Sequence, residues 1–585
     1  MRFNYLDVLK AIAIIAVILY HSGFMPLGYL GVDIFLVING YLITKSLSKA
    51  FMEDNKRAIP GYFSFVISRI DRLLPVLLVA GIVCMAVGFF VMLPDDYENL
   101  SESVIATNLF GNNILAAITT KNYWDVVNEY KPLMHTWYVG VVMQFYLLYP
   151  ILFLFARFDN KNPSRTLLTM VSVLAFVSLC IYFGISNYTA RFYYLPSRLF
   201  EFAAGGIVAL SWKPNLENIF HSSFIYGCYA LLLSLMIVNV DLIPADIRLL
   251  LVVALTVVLL MSYRTLENRV TGNQIIAKIG ATSYSIFVWH QVLLAFYRYT
   301  ISSHFTVLSY TLFLIAVSVF SWLTYEFIEQ KTSGWLKEKK SKTFFHIITL
   351  LVFLCLTAFA GFIYYKGGVV RDVPELYITR GGKADHKAYN DKIYKLDKPF
   401  ESEKRHWLVV GNSFGRDLAN TILESDVSDS VEVSYINYDS FKDKKYSDRF
   451  ANADKIFLSL LGTTESIVSE FETVCLANSF DVRNVVIVGT KNFGESNGQF
   501  YIKRNKPDYF EQRTKMEEGY AQINSRLKAV YGERYLDLIN LVIDDDGLMP
   551  VFTPDHHFVS QDCRHFSKGG AIWFGQLIDW GKYLK

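Results

Sequence analysis

The sequence predicts a polytopic α-helical membrane domain followed by a soluble α/β domain. Three observations predict it. Of the 585 residues, 53% are apolar and only 19% are charged, against about 45–50% and about 25% in an ordinary soluble domain. The apolar excess is gathered into long runs before about Tyr365. Beyond that point charged residues recur every few positions and the runs shrink to strand length. The net charge of +3 gives no sign of the basic face of a nucleic-acid binder, so no nucleic-acid partner is expected. Six cysteines without a CxxC pair exclude a small disulfide scaffold.

A membrane-spanning helix needs roughly 20 mostly apolar residues. About eleven stretches qualify: 6–22, 28–46, 73–93, 133–156, 166–184, 194–212, 222–240, 247–263, 281–299, 305–327 and 343–365. The first, sixth and ninth are short or carry His, Arg or Glu. The stretch 99–118 is apolar but interrupted by Asn108, Asn112 and Asn113, and reads as an interfacial or partly buried helix. The first span has the basic start of a signal peptide. Asp7 and Lys10 lie inside it and no small-x-small cleavage site follows, so it is expected to be retained. With the N-terminus inside, the inner loops hold eighteen Lys and Arg, from Lys45 to Lys342, and the outer loops hold five: Lys121, Lys131, Arg191, Arg248 and Arg298. The positive-inside rule therefore predicts an N-in, C-out arrangement.

Ionisable groups at membrane depth are costly and face a bundle interior or a cavity. The sequence places His21 at the end of the first span, Asp33 in the second, Arg69 and Arg72 at the start of the third, and His135 before Trp137. Arg198 and Glu201 are three apart on the sixth, hence on one helix face. His290 follows Trp289 on the ninth. Singly, the histidines read equally as interfacial residues, the arginines as positive-inside anchors, and Arg198–Glu201 as a structural ion pair. Their number together points to a site. Neutral His is suited to take a hydroxyl proton near neutral pH, and Arg to hold a phosphate-bearing donor.

Residues 1–330 resemble the family 3 membrane acyltransferases, which O-acylate bacterial surface glycans. The resemblance is carried by Leu6-Asp7-Val8-Leu9-Lys10-Ala11 leading to His21, Gly31-Val32-Asp33, Arg69 and Arg72, and Pro132-Leu133-Met134-His135-Thr136-Trp137. Gln144-Phe145-Tyr146, Ser283-Tyr284-Ser285 with Trp289-His290, and Tyr325-Glu326-Phe327-Ile328-Glu329 complete it. It implies a catalytic His21 and a donor site at Arg69 and Arg72. In two places the chain departs from the family. The fourth span usually reads Val-Glu-x-Gln-Phe-Tyr, whereas here Val141-Val142-Met143-Gln144-Phe145-Tyr146 lacks the carboxylate. Asn39 also precedes Gly40 where Ser is usual.

After a Gly-, Lys- and Asp-rich extension at 366–405, strand-like runs at 406–410, 431–436, 455–461 and 484–489 alternate with helical patterns at 418–424 and about 510–530. Such alternation predicts a parallel sheet with helices on both faces. Its site is expected at the carboxyl ends of the strands. Gly411-Asn412-Ser413 falls at such an end, and Asp562-Cys563-Arg564-His565 comes late in the chain. These are the parts of a nucleophile, orienter and base, although Gly-Asn-Ser is also a common turn and cap. Together they resemble the SGNH hydrolases over 406–585, in a three-layer α/β fold. The resemblance implies Ser413 as nucleophile, His565 as base, Asp562 as its orienter, and backbone oxyanion donors near Gly411 and Ser413. The family's block after the third strand is Gly462-Thr463-Thr464 here, without its Asn. Asp555-His556-His557 is a poor metal set, because adjacent residues seldom give two ligands in tetrahedral geometry, and no metal is expected. Cys475 and Cys563 are available to pair in an oxidising compartment.

A family 3 domain at 1–365 joined to an outward SGNH-like domain at 406–585 resembles the O-acetyltransferases of bacterial O-antigen and related polysaccharides. The expectation is a multi-pass inner-membrane enzyme, in contact with membrane lipid, whose C-terminal domain is periplasmic. Acetyl-CoA is the expected donor substrate, with no permanently bound cofactor. The expected acceptor is a lipid-linked or exported glycan such as lipopolysaccharide O-antigen. The alternatives are a peptidoglycan O-acetyltransferase, a transporter with a soluble binding domain, and an esterase anchored by its membrane part.

Overall fold

The computed structural model describes residues 4–53, 58–119, 128–159, 161–211, 221–238, 243–262, 273–336, 339–380, 386–560 and 562–584. The chain divides into two compact units. The first comprises Met1–Ala86, Leu100–Phe296 and Phe305–Gly361, the second Val87–Asn99, Tyr297–His304 and Phe362–Lys585.

The first unit is helical. Its helices are α1 (Asn4–His21), α2 (Gly31–Ser48), α3 (Ala58–Val91), α4 (Pro94–Asn108), α5 (Asn112–Thr119), α6 (Trp137–Leu148), α7 (Pro150–Ala156), α8 (Pro163–Gly184), α9 (Tyr188–Tyr193) and α10 (Leu199–Ser211). They continue as α11 (Ser222–Ile237), α12 (Ala245–Met261), α13 (Gln274–Ala281), α14 (Ser283–Thr300), α15 (Val307–Thr324), α16 (Lys331–Trp335) and α17 (Lys339–Tyr365), with α3, α4, α14 and α17 running on into the second unit. Among the described residues, six helical stretches are long and apolar enough to cross a membrane, and seven if α13 and α14, bent by 71°, form one span. This is fewer than the eleven expected. The stretches 6–22, 194–212, 222–240 and 247–263 are occupied by α1, α10, α11 and α12, which fall outside that set. α10 is only 13 residues long, because a 3-10 turn at Leu195–Ser197 starts with Pro196 in place and Arg198 follows.

The asparagines that interrupt 99–118 separate α4 from α5 and fasten α5 internally. Asn112 donates to the Leu133 carbonyl at 2.8 Å, and Gln144 donates to Asn113 at 2.8 Å. Small residues let α2 and α10 approach closely, as in membrane helix pairs generally. A Cβ on Gly40 would lie 1.9 Å from the Phe202 carbonyl oxygen, and one on Gly205 would lie 2.0 Å from that of Val37.

The second unit is built on a five-stranded parallel sheet. Its strands are β1 (Arg405–Gly411), β2 (Val431–Asn437), β3 (Lys455–Ser459), β4 (Val485–Val488) and β6 (Tyr535–Leu536), in the order β2-β1-β3-β4-β6. A small antiparallel pair, β5 (Arg513–Lys515) with β7 (Leu548–Pro550), lies apart from it. Both faces of the sheet are buried, so its strands read as unbroken apolar runs. Trp407, Val409 and Phe457 face α19 (Ser413–Leu423) and α24 (Lys568–Leu577). Leu408, Val410, Ile456 and Leu458 face α21 (Glu465–Ala477) and α23 (Tyr520–Tyr531). Three short helices complete the unit: α18 (His386–Asp391), α20 (Ser447–Ala451) and α22 (Asn497–Tyr501). The extension also joins the core, with Ile393 fully buried.

Two expectations are corrected. The helix expected at 510–530 covers only 520–531, because 513–515 pairs as β5. Cys475 and Cys563 are both free and buried. Cys475 belongs to the core on one face of the sheet, whereas the Cys563 loop packs through Phe566 into the core on the other.

Candidate functional site

In the first unit the structure assembles three separate groups. The first is a histidine cluster. The ring centroids of His21 and His290 are 5.4 Å apart, as are those of His290 and His135. His135 and His290 are buried. His290 Nδ1 lies 2.7 Å from the Phe287 carbonyl, to which it donates, and this leaves Nε2 as the acceptor nitrogen. Nε2 has no hydrogen-bond partner among the described residues.

The second group is a cavity of about 380 Å³ whose lining includes Lys10, Arg69, Arg72, Asn39, Tyr138, Tyr146 and Phe287. Arg69 lies over the rings of Phe65 and Tyr146, at 4.8 and 5.8 Å. Val142 is part of the wall at the position of the missing carboxylate, and the acidic side chain among the lining residues is Asp7, 3.3 Å from Lys10. The histidines do not line this cavity.

The third group is a buried ion cluster. Arg198 bonds Asp33, and its Nε lies 3.2 Å from Glu201 Oε1. All three are at most 3% exposed. They tie α2 to the start of α10, away from the lining of the cavity, and so read as structural.

The second unit holds a relay. Gly411 ends β1, Asn412 caps α19 through its side chain (Phe414 N–H to Asn412 Oδ1, 3.1 Å), and Ser413 is the first helical residue. Gly411 must be glycine, since a Cβ would lie 2.2 Å from the Ser459 carbonyl of the neighbouring β3. In the order β2-β1-β3-β4-β6 this is the point where the winding of the sheet reverses, and where α/β sheets form a crevice. His565 Nε2 lies 2.9 Å from Ser413 Oγ, and His565 Nδ1 lies 2.7 Å from Asp562 Oδ2. The backbone N–H groups of Arg564 and His565 both donate to Asp562 Oδ1. Burial alone would raise the Asp562 carboxyl. The His565 charge and these hydrogen bonds reverse that and hold it well below the usual carboxylate range. An ionised Asp562 fixes the Nδ1–H tautomer of His565 and leaves Nε2 to take the Ser413 proton.

Ser413 also lies in the first turn of α19, where unsatisfied N–H groups and the helix dipole favour a developing oxyanion. Gly462, with φ of 76°, and the buried Thr463 follow β3 on the neighbouring strand end.

Several residues of these sites are not evident from sequence patterns. Asp417, one turn after Ser413, accepts from the Phe566 N–H at 2.9 Å and lies 2.9 Å from Lys491 Nζ and 3.0 Å from Arg416. Lys491 lies over the Phe414 ring at 3.5 Å. Burial lowers the Lys491 ammonium. Burial would raise Asp417, but the Lys491 and Arg416 charges bring it below its ordinary value. This ion pair locks Phe414, the residue after Ser413, to Phe566, the residue after His565. Its signal was a lysine just past the carboxyl end of an apolar strand. His556 stacks on Phe510 and His557 on Tyr377. No group of three or more His, Cys, Asp or Glu among the described residues is arranged to hold a metal.

A family model described as an acyltransferase domain matches residues 3–326. A Staphylococcus aureus (strain COL) protein named as a candidate O-acetyltransferase is 23% identical over 539 residues, covering 83% of this chain and 86% of that one. The O-acetyltransferase OatA of S. aureus strain MRSA252 is 26% identical over 388 residues, covering 60% of this chain and 61% of its own. OatA of strain NCTC 8325 is 27% identical over 356 residues, covering 55% and 56%. No solved structure matches the chain.

Proposed function

The chain belongs to the family 3 membrane acyltransferases, enzymes that transfer acyl groups, and from that premise we propose that it O-acetylates an envelope glycan in two stages. The observation that carries this reading is the Ser413–His565–Asp562 relay at the carboxyl end of β1, in a chain whose other unit is an acyltransferase domain.

The donor is acetyl-CoA, entering from the cytoplasm. Arg69 and Arg72 hold its phosphates at the mouth of the cavity, and the acetyl thioester is directed toward His21. When an acceptor hydroxyl attacks the thioester carbonyl, His21 takes its proton as the C–O bond forms. The C–S bond breaks, and the proton passes to the departing thiolate. In the second unit, which this reading sets outside the membrane, Ser413 Oγ attacks the carbonyl of the acetyl ester formed on that acceptor; His565 takes the Ser413 proton as the new C–O bond forms and gives it to the departing acceptor oxygen as the old C–O bond breaks. A sugar hydroxyl then attacks acetyl-Ser413, giving its proton to His565, and Ser413 leaves as the free hydroxyl. The eleven-span, N-in/C-out arrangement, the SGNH-type fold and the inner-membrane location belong to the same reading.

Two acceptors fit, a lipopolysaccharide O-antigen and peptidoglycan. The relatives named above come from Staphylococcus aureus, a Gram-positive organism, which favours peptidoglycan. Mass spectrometry of base-labile acetyl esters on each purified envelope polymer, with and without the gene, tests the proposal. It expects the esters to disappear from one polymer, and an unchanged ester content in all of them would refute it. Flux of a solute with no acetyl ester formed would restore the transporter reading.

A further inference from the structure

The cavity and the histidine cluster of the first unit are joined by an unbroken series of contacts. The Arg69 guanidinium lies over Tyr146 at 5.8 Å. Tyr146 Oη donates to Asn39 Oδ1 at 3.1 Å, and Asn39 Nδ2 donates to Tyr138 Oη at 2.7 Å. The Tyr138 and Phe287 ring centroids are 5.2 Å apart. Phe287 in turn lies 5.0 Å from His135 and 5.7 Å from His290, the neighbour of His21. Tyr138 and Phe287 line the cavity, whereas the three histidines do not. Phe287 is therefore the partition between the basic cavity and the histidines, and Tyr138 is the ring that backs it. Asn39 fixes one of them. Its amide reaches both tyrosines, which the shorter Ser usual at this position is too small to do in the same way. Phe287, 4% exposed, is held by packing alone among the described contacts.

We infer that Tyr138 and Phe287 determine the length of the acyl group transferred. Resting on the reading that acyl-CoA occupies this cavity, the thioester carbonyl must pass the Phe287 ring to reach His21. The space opened by that one ring then limits the acyl group to a short chain. Discrimination by one methylene in an apolar pocket amounts to about 10–200-fold.

The test uses the full chain in proteoliposomes. It measures acyl-CoA binding and the rate of CoA thiol release with acetyl-, propionyl- and butyryl-CoA. Wild type is expected to prefer acetyl-CoA. Phe287→Ala is expected to narrow the acetyl-over-butyryl preference by about tenfold or more. Phe287→Trp is expected to bind acetyl-CoA normally yet lose transfer, and Phe287→Leu to fall between the two. Retained CoA binding shows that each variant is folded. Identical chain-length profiles in wild type, Phe287→Ala and Phe287→Leu would overturn the inference. A wild-type rate insensitive to Arg69→Ala and Arg72→Ala would instead overturn the donor-site reading, and this control separates the two failures.

Discussion

At the scale of single residues, the site of the second unit rests on three side chains that only the fold brings together. Ser413 and His565 are 152 positions apart in sequence and 2.9 Å apart in space. Ser413→Ala should leave the chain folded and lower acetyl transfer by a factor of about 10⁴ or more, measured as labelled acetyl in the glycan. The pH dependence of stability follows from Asp562. Its folded pKa is depressed, so its contribution is complete above the unfolded value of about 4 and is lost as pH falls through the folded value. Unfolding of the detergent-solubilised chain followed from about pH 5 down to about pH 2 should therefore show a loss of stability that is smaller in Asp562→Asn. Sequence made these three residues legible because each stands in a short motif. Lys491 and Asp417 stand in none, and their pairing depends on the packing of β4, α19 and the His565 loop.

At the scale of elements, buried ion pairs and glycine contacts hold the sites in register. Removing one partner of a buried pair leaves an uncompensated charge, at a cost of about 3–5 kcal/mol. Lys491→Met leaves Asp417 with Arg416 at 3.0 Å, so it should destabilise the second unit by up to about that amount, and the double change with Asp417→Asn by less than the sum of the single changes, as a double-mutant cycle of unfolding would show. In the membrane unit, Gly40→Leu should separate α2 from α10, because the Cβ position already overlaps the Phe202 backbone. That would break the Asp33–Arg198–Glu201 cluster, and the amount of folded protein recovered in detergent reports it. The strand positions were readable because both faces of a parallel sheet are apolar. The helix expected at 510–530 was overestimated because β5 is only three residues long, too short to show a period of two. Four of the eleven expected spans are helices outside the long apolar set for a related reason. Apolar runs such as 194–212 look continuous until Pro196 and the buried Arg198 divide them.

At the scale of the whole molecule, the apolar first part and the mixed-charge second part each hold a separate cluster of chemically active side chains. The first has a basic cavity and a histidine cluster, and the second has a serine relay. The proposal joins them as two stages of one transfer. This predicts that His21→Ala and Ser413→Ala each abolish glycan acetylation, and that acyl-CoA binding survives in both. The most direct test supplies radiolabelled acetyl-CoA to inverted membrane vesicles containing the full chain and the envelope glycan. Label should enter the glycan with the wild type and with neither variant, and wild-type incorporation by Ser413→Ala would contradict the two-stage mechanism.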